Sequence, residues 1–283
     1  MRTSLRLLAL LLLASAPVRA ADLAFSTSDG VRLHVIDEGP HTGHTLVFVP
    51  GWTMPAWIFQ AQIAAFSRAG YHVVALDPRG QGDSEIAPTG YDHNRRGRDI
   101  GELVERLGRE PVLLVGWSLG VLDSLAYVQQ SGDARLAGLV LIDNSIGEDP
   151  PPTPSFAPRS RAPRLEREEQ MRRFVSGMFR VNPGTTYLDR LTETALRTPA
   201  EAAAQLGNYP VPRTYWKEAV YSVRKPVLYV VRPKFAAQAG NLAAKHPVAE
   251  TYLFTDAGHA LFVDEPERFD TVLQGFIRRR VWP

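Results

Sequence analysis

A serine between two glycines stands where an apolar run meets a predicted helix. The segment Val115-Gly116-Trp117-Ser118-Leu119-Gly120 follows Val112-Leu113-Leu114 and leads into an apolar helical stretch. A strand, a Gly-x-Ser-x-Gly turn and a helix form the arrangement that exposes a serine hydroxyl as a nucleophile. The strained turn needs small residues two before and two after the serine, and Gly116 and Gly120 meet that need. We therefore predict that Ser118 is a nucleophile, with an ordinary turn serine as the alternative.

A serine hydroxyl is a poor nucleophile at neutral pH, so it needs a general base within hydrogen-bond reach. His259 is the best candidate because it ends the loop Asp256-Ala257-Gly258-His259, directly after an apolar strand. Its place late in the chain fits the order serine, acid, histidine. The other histidines lie in early strands, turns or polar loops, at His34, His41, His44, His72, His93 and His246. We predict His259 as the base, with a packing or capping histidine as the alternative.

The elements that would position these two side chains follow from the apolar pattern. A hairpin signal at Ser28-Asp29-Gly30 comes first, and apolar runs then alternate with helix-like segments. Runs that are apolar throughout are typical of strands buried on both faces, and strands alternating with helices favour a parallel sheet. The runs are residues 45–49, 72–77, 112–115, 139–142, 227–231 and 250–254. We predict an α/β fold with a mostly parallel, doubly wound sheet.

The alternation stops after residue 146. Prolines are dense from Pro150 to Pro163, and residues 165–209 contain helix-like and loop segments only, among them 168–179 and 199–206. Proline resists regular structure and is typical of hinges. We therefore predict a helical cap inserted into the sheet-bearing core. The predicted division is a first core part at 21–146, the cap at 147–215 and a second core part at 216–283.

The first 20 residues have the composition of a signal peptide. Arg2 and Arg6 precede an apolar stretch, and Val18-Arg19-Ala20 is a small-x-small cleavage site. The apolar stretch is too short to span a bilayer. We expect an exported protein, periplasmic or secreted, with no stable membrane insertion after cleavage, and an uncleaved anchor is the alternative. An exported chain without cysteine favours a bacterial periplasm.

Composition argues against several classes of protein. The chain has no cysteine, which excludes disulfides, thiolate zinc sites and a cysteine nucleophile. Three of its 32 basic residues and none of its 30 acidic residues lie in the predicted signal peptide, so the remaining chain has a net charge near −1. That charge indicates neither nucleic acid nor an anionic membrane as a partner. Since no glycine-rich dinucleotide motif follows a strand and no His/Asp/Glu cluster has ligand spacing, we expect no cofactor and no metal.

Four ordered motifs resemble those of the α/β-hydrolase superfamily, and most of all its small cap-bearing esterases, lactonases and cofactor-free haloperoxidase-type enzymes. They are Pro50-Gly51-Trp52, similar to the oxyanion loop; residues 77–84, similar to the Asp-x-Arg-Gly-x-Gly-x-Ser turn; the elbow at 116–120; and the block from Gly258-His259 to Glu265-Pro266. The resemblance covers about residues 31–277. It implies an α/β-hydrolase core and acyl-transfer chemistry on a serine.

The resemblance also implies an oxyanion hole built from the backbone N–H groups of Trp52 and Leu119. Two residues depart from the family pattern. Pro50 stands where the family usually has a histidine, so a hydrogen bond that supports the oxyanion loop is expected to be missing. Val121 stands where a second glycine often follows the elbow. Both changes would reshape the floor of the pocket.

The acid that should orient His259 is absent from its usual place. The family usually has it directly after the strand at 227–231, where this chain has Arg232 and Lys234. There is no Asp or Glu between Glu218 and Glu250. The imidazolium formed during attack nevertheless needs a carboxylate.

We predict that Asp143 supplies this carboxylate. It directly follows the strand at 139–142, whose carboxyl end should open onto the same crevice as the elbow. The alternatives are Asp123 on the helix after the elbow, Asp256 close to His259, and a Ser–His dyad without an acid. Glu148 and Asp149 on the cap hinge are weaker candidates.

The predicted function is hydrolysis of carboxylic esters or lactones through an acyl-enzyme on Ser118. The small-molecule substrate would be chosen by the cap and by aromatic residues near the elbow, for which the sequence offers Met171, Phe174, Met178, Phe179, Trp52, Trp57 and Trp117. Two alternatives stay open. One is a cofactor-free perhydrolase, and the other is a non-catalytic binding protein on a degenerate hydrolase scaffold. Oligomeric state does not follow from the sequence.

Overall fold

The computed structural model describes residues 21–151, 166–208 and 210–283 of the chain. Its centre is an eight-stranded sheet in the order β1-β2-β4-β3-β5-β6-β7-β8. The strands are β1 (Ala21–Ser26), β2 (Arg32–Glu38), β3 (Thr45–Val49), β4 (His72–Leu76), β5 (Val112–Trp117), β6 (Leu136–Ile142), β7 (Val227–Val231) and β8 (Ala249–Leu253). Pairs from β4 to β8 are parallel, whereas β1 and β2 pair antiparallel and β2 joins β4 antiparallel. The predicted fold class is confirmed.

Burial explains why the central strands are apolar throughout. Every residue of β3, β4, β5 and β7 is buried, as expected of parallel strands covered on both faces. In β2, which lies toward the sheet edge, exposed and partly buried residues alternate with buried ones. The predicted hairpin at Ser28-Asp29-Gly30 joins β1 to β2, and Gly30 takes a φ of 83° that glycine adopts without strain.

Helices cover both faces of the sheet. They are α1 (Gln60–Arg68), α2 (His93–Arg106), α3 (Leu119–Ser131), α4 (Arg167–Ser176), α5 (Thr185–Leu196), α6 (Ala200–Leu206), α7 (Arg213–Ser222), α8 (Ala236–Lys245), α9 (Leu261–Asp264) and α10 (Pro266–Phe276). One apolar core joins the sheet to α2, α3, α7 and α8, and the other joins it to α1 and α10. The parallel strands therefore lie between two layers of helices.

In the described part of the segment between β6 and β7, where the sequence predicts the cap, the structure has four helices, α4 to α7. Helices α4 and α6 correspond to the predicted segments at 168–179 and 199–206, and α4 packs against α5. Helix α7 runs across the predicted boundary at residue 215 and packs on α3 of the core. The division into core and cap parts stays a prediction.

Two sequence features fall outside the described residues: the predicted signal peptide at 1–20 and most of the proline-rich hinge, residues 152–165. Within the parts that the structure describes, no helix combines the length and apolar character needed to cross a membrane.

Candidate active site

Ser118 occupies a strained turn between β5 and α3. Its φ and ψ are 54° and −119°, a conformation with positive φ that is uncommon for a residue other than glycine. The turn is tight enough that a side chain on Gly116 would overlap the carbonyl oxygen of Gly120, and one on Gly120 would overlap that of Val49. The two glycines are therefore required by close approach, and Ser118 stands at the start of α3.

Ser118, His259 and Asp143 form a continuous line of hydrogen bonds. The Ser118 Oγ lies 2.8 Å from Nε2 of His259, and Nδ1 of His259 lies 2.7 Å from Oδ2 of Asp143. When Nδ1 holds the ring proton, it donates to the carboxylate and leaves Nε2 free to accept from the hydroxyl. This order matches a nucleophile, a general base and an orienting acid.

Asp143 ends β6 and is 1% exposed. Its Oδ1 accepts from the backbone N–H of Arg232 at 3.0 Å, and its Oδ2 accepts from Nε of Arg232 at 2.6 Å as well as from His259. Burial alone raises the pKa of the Asp143 carboxyl. The hydrogen bond from His259, the positive charges of His259 and Arg232, and the Arg232 N–H outweigh burial and hold that pKa below its ordinary value.

The alternative acids lie elsewhere. Asp123 is buried on α3 and pairs with His93 at 2.8 Å and with Arg96 at 2.8 Å. Asp256 is exposed and accepts from the Thr255 hydroxyl. Glu148 accepts from Lys217 and Tyr221 of α7, and Asp149 accepts from Lys217. None of these four carboxylates has a hydrogen bond to His259 in the described chain.

The loop Pro50-Gly51-Trp52, which is predicted to supply an oxyanion donor, lies directly against Ser118. A Cβ placed on Gly51 would come within 2.9 Å of Cβ and 3.3 Å of Oγ of Ser118. Within the described ranges, the backbone N–H groups of Trp52 and Leu119 donate no hydrogen bond. Two free N–H donors next to a nucleophile are what an oxyanion hole requires.

Gln81 supports this loop, and the sequence reasoning did not single it out. Its Nε2 donates to the carbonyl oxygens of Gly51 at 2.9 Å and Met54 at 2.8 Å, while its Oε1 accepts from the Thr53 N–H at 3.1 Å. Arg96 donates to the same Oε1 at 3.0 Å. Pro50 was predicted to remove a hydrogen bond that supports this loop. Gln81, in the 77–84 turn, provides hydrogen bonds to the loop instead. The sequence signal that could have revealed this role is the amide side chain of Gln81 within the 77–84 turn.

Two further residues hold the His259 loop. Trp117 is fully buried, and its Nε1 donates to the His259 carbonyl oxygen at 2.9 Å. Asp264 accepts from the N–H of Gly258 at 2.6 Å and from those of Arg180 at 2.9 Å and Val181 at 3.1 Å. Asp264 therefore ties the histidine loop to the loop that follows α4. Trp117 lines neither the cavity at Ser118 nor the cavity beyond Trp52, although its nearness to Ser118 in the sequence suggested that it would.

Helices α4 and α6 contact the site through Trp52. Nε1 of Trp52 donates to the Ala203 carbonyl oxygen of α6 at 2.7 Å, and the Trp52 ring meets the Phe174 ring edge-on at 5.0 Å. A cavity of about 550 Å³ lies over Ser118, and a second of about 670 Å³ lies beyond Trp52. Of the predicted pocket residues, Phe174 lines both cavities, Met171 lines the larger and Met178 the one at Ser118.

Two clusters of described residues bring metal-ligand atoms within 4.8 Å of one another: Asp37, His41 and His72, and His34, Asp77 and Asp83. In each cluster one member is distant in the sequence, His72 by 35 positions from Asp37 and His34 by 43 positions from Asp77, which is why spacing did not reveal the clusters. The carboxylates already accept hydrogen bonds, with Asp37 at 3.0 Å from His72 and Asp77 at 2.7 Å from His34. Neither cluster includes the Ser118 line of hydrogen bonds.

The model of the alpha/beta hydrolase family matches residues 46–272. The chain belongs to this family. The matched range includes the oxyanion loop, the elbow, the whole segment between β6 and β7, and His259. The resemblance inferred from the four sequence motifs is therefore confirmed.

The chain is similar to several other proteins and solved structures. A non-heme chloroperoxidase of Streptomyces lividans is 34% identical over 117 residues, and a bifunctional esterase/perhydrolase of Acinetobacter calcoaceticus is 33% identical over 117 residues. Each match covers 41% of this chain and 42% of the relative. The esterase EaEST of Exiguobacterium antarcticum has the same fold, with a TM-score of 0.76, 20% identity and coverage of 91% of this chain and 100% of that chain.

Proposed function

We propose that this α/β-hydrolase cleaves carboxylic esters or lactones through an acyl-enzyme on Ser118. The observation that supports it most is the unbroken hydrogen-bond line from the Ser118 Oγ through His259 to Asp143, at 2.8 Å and 2.7 Å. In this proposal His259 is the general base, Asp143 orients it, and the N–H groups of Trp52 and Leu119 receive the oxyanion.

Each step balances its atoms and protons. The Ser118 Oγ bonds to the acyl carbon while its proton passes to Nε2 of His259. The carbonyl oxygen becomes an oxyanion held by the two N–H groups, and the developing imidazolium is balanced by Asp143. When the bond to the leaving alkoxide breaks, Nε2 returns the proton to it. Water then attacks the acyl carbon by the same route and releases the carboxylic acid.

The proposal is tested by reacting the protein with a fluorophosphonate probe and by measuring turnover of short activated esters and lactones. We expect Ser118→Ala to abolish labelling and to lower kcat by about a million-fold. The matched control is Ser131→Ala, since Ser131 is exposed at the far end of α3. A non-catalytic binding protein would leave Ser118 unlabelled and all esters intact, which would overturn the proposal.

A second activity, perhydrolysis, is favoured by the bifunctional esterase/perhydrolase among the relatives. Hydrogen peroxide would then take the acyl group in place of water and form a peracid. Turnover of an ester in the presence of peroxide tests this activity, with peracid formation as the readout and Ser118→Ala as the control. Ester turnover without peracid would limit the protein to hydrolysis.

We also propose export, on the basis of the basic, apolar and small-x-small pattern of residues 1–20. Cell fractionation followed by N-terminal sequencing tests it. We expect a periplasmic or secreted form that begins at Ala21. A cytoplasmic form that keeps its first 20 residues would contradict the proposal.

A further inference from the structure

The cavity over Ser118 has an excess of positive charge. Its wall includes Arg173 of α4 and, from the segment after β7, Arg232 and Lys234. Asp143 is the only carboxylate that the described chain contributes to this wall. Three cations thus face one anion in a cavity of about 550 Å³, a size that suits a small substrate.

The single carboxylate does not offset this excess. Asp143 is buried, and its oxygens are occupied by Arg232 and His259 at 2.6 to 3.0 Å. Arg232 therefore already serves as a counterion of Asp143. Arg173 and Lys234 remain as two cations for which the described residues of the cavity wall offer no counterion.

Neither of these two cations is strongly neutralised from outside the cavity. Arg173 pairs with Glu169 one helical turn away at 2.7 Å, but the two side chains are 66% and 45% exposed, so solvent screens the pair. Lys234 has no carboxylate within 4.0 Å among the described residues, and its ammonium lies 5.3 Å from the centre of the Phe235 ring. A cation left without an anion at a substrate cavity is available to bind one.

The positive charge also opposes the chemistry at His259. Nη2 of Arg232 lies 3.5 Å from Nδ1 of His259, so the imidazolium formed during attack stands next to a guanidinium that shares its only carboxylate. Like charges at this distance disfavour each other. A negative group on the substrate would offset the repulsion at the step where it matters, and would raise kcat as well as binding.

We propose that the preferred substrates are esters with a second, negatively charged group, such as a free carboxylate, bound by Lys234 and Arg173 beside Ser118. This inference rests on the proposed ester hydrolysis. Attraction between substrate and cavity is electrostatic, so the preference weakens as salt rises. We expect kcat/KM for an anionic ester to exceed that for a neutral ester of equal length by about ten- to a hundredfold at low salt.

Two matched substrate pairs test the preference and locate the charge. The mono-4-nitrophenyl ester of glutaric acid against 4-nitrophenyl valerate places the charge in the acyl part. Acetylated 3-hydroxybenzoate against phenyl acetate places it in the leaving group. The variants are Lys234→Gln, Arg173→Gln and their combination, and the matched control is Arg109→Gln, an exposed cation before β5. Rates are measured at low and at high salt.

We expect at least one pair to show the anionic preference. The ratio of anionic to neutral kcat/KM should fall at least tenfold in the combined variant and should stay at the wild-type value in Arg109→Gln. Equal rates within each pair, or a preference that survives in the combined variant, would overturn this inference while leaving ester hydrolysis intact. Absence of turnover on all four esters together with absence of fluorophosphonate labelling would instead overturn the proposed function.

Discussion

Nε of Arg232 lies 2.6 Å from Oδ2 of Asp143, the same oxygen that lies 2.7 Å from Nδ1 of His259. Arg232 directly follows β7, at the position where the family usually has its acid. It binds Asp143, the carboxylate at the end of the neighbouring strand β6. The Arg232 backbone N–H holds the other oxygen at 3.0 Å. Both oxygens are therefore fixed, which sets the direction in which the carboxylate meets the imidazole.

The first prediction concerns the acid. Asp143→Asn should lower kcat by about a thousand- to ten-thousandfold, because an amide favours the wrong histidine tautomer and cannot balance the imidazolium. Steady-state kinetics on an activated ester measure the loss. Asp256→Asn is the matched control, since Asp256 is exposed and bonds only to the Thr255 hydroxyl within the described chain. Near-wild-type turnover by Asp143→Asn would mean that another carboxylate, and not Asp143, orients His259.

The second prediction concerns acid stability around Asp143. Arg232→Gln removes the positive charge and the Nε hydrogen bond that help to hold the pKa of the Asp143 carboxyl below its ordinary value. Because the folded pKa of Asp143 is lowered, its contribution to stability is present at neutral pH and is lost as the pH falls through the folded pKa. Wild type should therefore be more stable than Arg232→Gln at neutral pH, by a margin that shrinks toward acid pH, and denaturant unfolding at several pH values measures it.

Arg232→Lys separates charge from structure in that experiment. It keeps a cation beside Asp143 and should recover part of the lost stability at neutral pH, whereas a purely structural role would leave both variants equally unstable. A stability difference between wild type and Arg232→Gln that does not change with pH would contradict the prediction.

The third prediction concerns the oxyanion loop. Gln81→Met keeps the volume of the buried side chain but removes its bonds to Gly51, Thr53 and Met54. We expect kcat to fall by about ten- to a hundredfold with a smaller change in KM, since the loop acts on the transition state. Gln62→Met, which removes bonds from α1 to Phe262 and Asp270, is the matched control for lost buried hydrogen bonds. Equal losses of kcat in the two variants would deny Gln81 a specific role.

The parts of this site that the sequence could predict are local. The elbow combines a buried strand, two obligatory glycines and a helix within about 20 residues. The buried strands are recognisable in the sequence because they are apolar throughout. The end of β6 could also be matched to the elbow, because neighbouring parallel strands end at one edge.

The parts that could not be predicted depend on side-chain reach across the sheet. Gln81 meets Gly51 over 30 positions, and Asp264 joins the histidine loop to Arg180 across 84. No spacing rule relates such pairs, since their contact depends on the packing of separate layers. The sequence likewise showed that Arg232 stands where the family usually has its acid. It did not reveal that this arginine would bind Asp143.

The fourth prediction concerns acid stability at the cap hinge. Glu148 is fully buried and accepts from Nζ of Lys217 at 2.8 Å and from the Tyr221 hydroxyl at 2.5 Å. Burial raises the pKa of the Glu148 carboxyl, but the hydrogen bonds from Lys217, Tyr221 and the Asp149 N–H outweigh it and lower that pKa to about 2.

Because the folded pKa of Glu148 lies below the unfolded value near 4.5, its contribution is complete above that pH and is lost as the pH falls toward 2. Glu148→Gln should cost roughly 2 kcal/mol at neutral pH and should flatten the acid side of the stability curve. Denaturant unfolding from about pH 7 to pH 3 measures both effects. Glu193→Gln on α5, where the carboxylate is exposed, is the control. Parallel pH curves for wild type and Glu148→Gln would contradict the prediction.

The fifth prediction concerns Gly51. Its control separates the steric effect of a Cβ beside Ser118 from the general effect of replacing a glycine by alanine. Gly51→Ala introduces a Cβ that would lie 2.9 Å from Cβ and 3.3 Å from Oγ of Ser118, so the serine or the oxyanion loop must shift by a few tenths of an ångström. Such a displacement would misalign the Ser118 hydroxyl with His259 and with the proposed oxyanion donors, and we expect kcat to fall by about a hundredfold. Gly240→Ala is the matched control, because a Cβ there meets nothing within 4 Å and α8 should gain about 0.5–1 kcal/mol from the better helix former. Kinetics and thermal unfolding of both variants give the comparison. A folded Gly51→Ala protein with wild-type kcat would mean that the loop at Gly51 can move away from Ser118 without loss of activity. The oxyanion donors would then have to lie somewhere other than beside Gly51.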